Sequence, residues 1–185
     1  AFAWVAVTAA VWIVVGGALA AYLFHRFAAE LPDAASLADY QPPTVTRIHA
    51  GDGRLLAEYA HERRGVGALQ ALPPLGRPAF GSAQGKNFYS HPGIDPAGIA
   101  RAAYDNLQAM GSNRRPQGAS TITQQVAKNF FLTNEVSVER KLKEAVLAMR
   151  IERIFSKDRI LELYLNEIFL GRRSYGVAAA ALTYF

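Results

Sequence analysis

The sequence predicts a mainly α-helical domain preceded by a transmembrane helix and a small β-hairpin. Three observations predict it. The first 24 residues carry no charged side chain. Two short β-prone segments flank the turn Ala50-Gly51-Asp52-Gly53. From residue 79 onward, helix-capping residues recur ahead of stretches with helical periodicity. The length of 185 residues accommodates about one domain.

The elements follow in order. As a helix, residues 1–24 would rise about 36 Å, enough to cross a bilayer with some tilt. Arg26, Glu30 and Asp33 come directly after, and Trp4 and Tyr22 suit the two interfaces. A cleaved signal peptide is the competing reading. The apolar stretch is long for one, and no small-x-small site precedes a polar start. Residues 1–25 are therefore expected to be a single-pass anchor. The chain begins without methionine, as a fragment would.

Residues 26–78 read as a linker containing the hairpin. The stretch 32–43 is polar and proline-bearing. Strands are expected at 45–48 and 55–59, and 63–78 reads as loop. Asp95-Pro96, an N-cap followed by proline at N1, opens a helix to about Met110. A basic loop occupies 111–118. Helices are expected at 120–131, with Ser120 as N-cap, at 138–155 and at 157–170, with Gly171 as the C′ residue. A further helix, 176–184, is under way where the chain stops, so the domain 79–185 is expected to be truncated at its C-terminal end.

Two helices carry candidate chemistry. In 120–131, Ser120, Gln124 and Lys128 fall at i, i+4 and i+8, opposite an apolar row of Ile122, Val126 and Phe130. A polar row ending in a cation suits a sugar joined to a phosphate, and equally a solvated surface face. In 138–155, Val138, Leu142, Ala145 and Met149 form one apolar stripe. Arg140 and Glu144 share a second row with Leu147 and Ile151. A charged pair among aliphatic residues is either a partly buried salt bridge or a site.

Composition narrows the partners. No cysteine is present, which excludes disulfides and thiolate metal sites. The net charge of +5 is spread over helices and loops rather than gathered in a stripe. With an anchor in the same chain, anionic lipid head groups or a phosphorylated lipid fit better than nucleic acid.

Four blocks resemble glycosyltransferase family 51, the peptidoglycan polymerase domain of class A penicillin-binding proteins, and look most like type 1A. They are Lys86-Asn87-Phe88-Tyr89-Ser90-His91-Pro92-Gly93; 117–125 with Lys128-Asn129; Arg140-Lys141-Leu142-Lys143-Glu144; and 157–166 with Gly171. The resemblance implies a lysozyme-like helical fold on the outer, periplasmic face of the bacterial cytoplasmic membrane. It implies polymerisation of lipid II into glycan strands. The 4-hydroxyl of the acceptor attacks C1 of the donor, undecaprenyl pyrophosphate leaves, and the configuration inverts. Such a reaction needs a base for the hydroxyl proton and cations for the departing charge. By resemblance, Glu144 assists at the leaving group with Lys128, Arg140 and Lys141, while Ser120, Gln124, Gln125 and Asn129 line the donor side. No cofactor is required, although a divalent cation, Mg or Mn, could bridge the pyrophosphate and Glu144. His91 reads as a packing residue, and the histidines show no metal-ligand spacing. Lipid II, the nascent glycan strand, the membrane and other cell-wall synthesis proteins are the implied partners.

One departure matters. The family's general-base glutamate is replaced by Gln84, followed by Gly85. An amide does not accept a proton at neutral pH, and removing a general base costs about 10²–10⁴ in rate. Impaired polymerisation is therefore expected. The alternative is a catalytically inactive, membrane-anchored scaffold that binds lipid II. A glycan hydrolase is a third reading, disfavoured because hydrolysis needs no phosphate site.

Overall fold

A computed structural model describes residues 2–40, 46–59, 63–65, 67–73, 76, 78–80, 87–111, 116–133 and 135–185. The order is α1 (Phe2–Glu30), a 3-10 helix (Ala34–Asp39), β1 (Thr46–His49), β2 (Leu55–Tyr59), β3 (Arg63–Arg64) and a 3-10 turn (Leu69–Ala71). Then come α2 (Pro96–Gln108), α3 (Ile122–Phe131), α4 (Val138–Ile154), α5 (Lys157–Glu167), β4 (Ser174–Tyr175) and α6 (Val177–Tyr184). The mainly helical class agrees with the sequence. Within α1, Ala10–Phe27 is long and apolar enough to cross a membrane, and none of that window is buried in protein. β1 and β2 pair antiparallel across the expected turn, with Thr46 opposite Tyr59.

Caps set the helix starts. Asp95 accepts from the Gly98 N–H, with proline in the first turn of α2. Ser137 and Ser156 cap α4 and α5. α3 corrects the sequence reading. Its N-cap is Thr121 rather than Ser120, because Thr121 and Gln124 close a reciprocal capping box. The Gln124 N–H donates to Thr121 Oγ1 at 3.2 Å, and the Thr121 N–H donates to Gln124 Oε1 at 2.9 Å. Ser120 thus precedes the helix and Gln124 is buried, so the polar row of Ser120, Gln124 and Lys128 does not exist as an exposed face.

The core lies where α3 packs on α4 and α5. Ile122, Val126, Ala127, Leu147, Ile151, Ile160, Leu161 and Tyr164 form one buried cluster. Each large aliphatic side chain there contributes about 1.5–3 kcal/mol of burial. On α4 the two apolar stripes are not equivalent. Val138 is 79% and Leu142 38% exposed, whereas the row through Glu144, Leu147 and Ile151 faces inward. The charged pair lies on the buried row because α3 covers that side.

Three further expectations change. The stretch read as a polar linker is docked. Asp33 caps the 3-10 helix, Ala34 and Leu37 are buried, Tyr40 donates to Glu167 Oε1 at 2.6 Å, and its ring meets Phe130 edge-on at 4.6 Å. The stretch read as loop at 63–78 contributes β3, which pairs parallel with β4, and buried Leu69. Finally, α5 stops at Glu167. Ile168 turns extended, and Gly171, with φ of 88°, opens the tight turn into β4 instead of closing the helix.

Candidate active site

The candidate site is built around Glu144. It sits on the inward row of α4 and its side chain is 2% exposed. Its Oε2 accepts from Arg140 Nη1 at 2.9 Å, and its Oε1 accepts from Lys141 Nζ. Spacings of i+4 and i+3 on one helix bring these charges together without help from the rest of the fold. The Lys141 ammonium reaches on to Ser120 Oγ at 2.7 Å, tying α4 to the loop before α3. Two cations thus face one carboxylate, leaving positive charge in excess. Among the described residues, the buried Arg140 Nε has no hydrogen-bond partner.

The other expected residues are placed less closely. Lys128 is half-buried in the last turn of α3 and has no ion-pair partner among the described residues. Gln125 is half-buried and Asn129 exposed. Gln124 is buried and spends its backbone N–H and side-chain oxygen on the capping box. Lys143, in the same block, pairs with Glu139 at 2.7 Å. Gln84, the expected base position, lies outside the described residues, as does Lys86.

The described remainder of the first block is clamped by residues that sequence reasoning missed. Lys157 Nζ donates to the His91 carbonyl at 2.6 Å and to Glu152 Oε1 at 2.7 Å, 4.6 Å from the centre of the Phe88 ring. Glu152 Oε1 also accepts from Thr123 Oγ1 at 2.6 Å. Thr121 Oγ1 donates to the Gly93 carbonyl at 2.6 Å. Lys157 opens the fourth block, so its motif position was a usable signal. Glu152 offered none, because nothing local says which element lies against it.

His91 is a packing residue, as expected. It is 8% exposed, its Nδ1 accepts from the Gly93 N–H at 3.1 Å, and its ring meets Phe88 edge-on. That bond assigns the ring proton to Nε2. Burial lowers its pKa, and the Lys157 charge lowers it further against the opposing pull of Glu152 and Asp95. The ring is neutral at neutral pH.

Comparison with known proteins covers most of the chain. Residues 52–185 match the family model described as Transglycosylase. Penicillin-binding protein 1A of Rickettsia felis is 54% identical over 176 residues, spanning 95% of this chain and 22% of the relative. Penicillin-binding protein 1A of Escherichia coli is 47% identical over 177 residues, spanning 95% and 20%. That of Vibrio cholerae is 47% identical over 156 residues, spanning 84% and 18%. The chain thus spans about a fifth of the length of these relatives. The resemblance carried by the four blocks, the helical fold that positions them and these matches lead to one conclusion: the chain belongs to the transglycosylase family, glycosyltransferase family 51.

Proposed function

We propose that this chain is the glycan-polymerising domain of a peptidoglycan glycosyltransferase, held by α1 in the bacterial cytoplasmic membrane with its helical domain on the outer face. Lipid II and the growing strand are its substrates. The observation that carries this reading is the buried Glu144 holding Arg140 and Lys141 together. When the acceptor 4-hydroxyl bonds to C1 of the donor, the bond from C1 to the diphosphate oxygen breaks and negative charge moves onto the diphosphate. Arg140 and Lys141, with Lys128, supply the countercharge. Glu144 is too buried to touch the leaving group, so it acts through the cations it orients.

A divalent cation bridging Glu144 does not suit this arrangement. The carboxylate is buried and two positive charges already lie against it, so a divalent ion would meet their repulsion and little open space. Neutralisation is therefore assigned to side chains. The hydroxyl proton needs an acceptor, which Gln84 does not provide. Polymerisation is slow for that reason, while substrate binding persists.

The test uses labelled lipid II and gel separation of products. Gln84→Glu should form polymer about 10²–10⁴ times faster than the unaltered chain. Polymer from neither, with lipid II still bound, would mark a scaffold instead. Lys128→Ala and Arg140→Ala should each weaken lipid II binding, and unchanged affinity in both would overturn the diphosphate assignment.

A further inference from the structure

The last turn of α1 is fastened to the helix that carries the site. Lys143 Nζ lies 5.6 Å from the centre of the Phe27 ring and 2.7 Å from Glu139 Oε1. The hydrogen bond from Lys143 holds the Glu139 carboxyl below its usual range. The charge of Lys143 adds to this, and that of Arg26 follows. The attachment continues without a slack segment. Leu31 packs on the core, Ala34 and Leu37 are buried in it, and Tyr40 is bonded to Glu167.

Glu139 and Lys143 are the immediate neighbours of Arg140 and Glu144 along α4. Positions 139 and 143 stack on one row, and 140 and 144 on the next, about 100° around the helix and within about 6 Å of rise. A cavity of about 220 Å³ between the end of α3 and the start of α4 is bordered by both Arg140 and Lys143, so the two groups share a wall.

Resting on the function proposed above, we propose that Phe27, Glu139 and Lys143 form a bracket that sets the height of the Arg140–Lys141–Glu144 cluster above the bilayer, and so favours a diphosphate carried on a membrane-embedded lipid over the same head group in free solution. These three are positioning residues. A flexible tether would leave the cluster free to wander by many ångströms, and misplacement of about 1 Å can cost 10²-fold. Phe27 supplies a ring face for the ammonium of Lys143, and Glu139, one turn back on α4, holds that ammonium in place.

The test measures binding, so Gln84 does not obscure it. The full chain is placed in vesicles of phosphatidylethanolamine and phosphatidylglycerol. One probe is long-tailed lipid II in the same vesicles, and the other is its short-tailed, water-soluble analogue. Lys143→Met, and separately a Gly-Ser insertion between Glu30 and Leu31, should weaken binding of the long-tailed probe about tenfold. Both should leave the short-tailed probe within about twofold, and Lys143→Arg should restore the preference. Equal losses for both probes would overturn the bracket, since they would mean damage to the cluster itself. No loss for either probe would overturn it as well. If the unaltered chain bound neither probe, the proposed function would fail, and this inference with it.

Discussion

Burial of the His91 ring makes its protonation unfavourable, and this has a consequence for pH. A histidine whose folded pKa lies below its ordinary value, near 6.5, binds fewer protons folded than unfolded. Its contribution to stability is present above pH 6.5 and is lost as pH falls toward the lowered value. Denaturant midpoints should therefore drop between pH 7.5 and 5.5, and the drop should be smaller in His91→Gln. Equal drops in both proteins would contradict a buried neutral ring. Residue identity alone suggested packing for His91. The acceptor role of its Nδ1 came from the turn that brings the Gly93 N–H against it. Ser120 teaches the converse. Both Ser120 and Thr121 are competent N-caps, and only the reciprocal bond with Gln124 selects Thr121.

Among the elements, α4 has the most duties. One row packs on the core, a second grips the anchor, and its middle receives the first block. Gly93 makes that last contact. Its φ is 99°, and a Cβ there would lie 2.9 Å from both the carbonyl carbon and the oxygen of Ala148. Gly93→Ala should therefore cost about 2–3 kcal/mol, from the disfavoured backbone and the close approach together. Urea unfolding in detergent would read this, and an unshifted midpoint would mean that the block is not seated on α4. The helix itself was legible from its period. Which of its two stripes is buried was not, because both were apolar and only α3 decided between them.

On the scale of the whole molecule, the segment after α1 belongs to the core. Leu37 is 2% exposed within the same cluster as Leu147 and Ile160. Leu37→Ala should lower stability by about 2–5 kcal/mol. A residue in a loose linker would change it by less than about 0.5 kcal/mol. Calorimetry or denaturant unfolding separates the two. The low polarity of Ala34 and Leu37 was visible in the sequence, but a proline-bearing stretch of alternating polar residues shows no period that announces docking.

The helical class, the apolar first helix, most helix starts and the i, i+4 meeting of Arg140 with Glu144 were all legible in the residue order. All of these depend on interactions within a few residues, which spacing encodes directly. The packing of the elements was needed to show that Lys157 holds the His91 carbonyl, that Glu167 receives Tyr40 and Arg64, and that Lys143 lies against Phe27. Those pairings join residues far apart in the chain or side chains with several local partners in reach. Their outcome depends on how the elements are set against one another, and no local spacing carries that information.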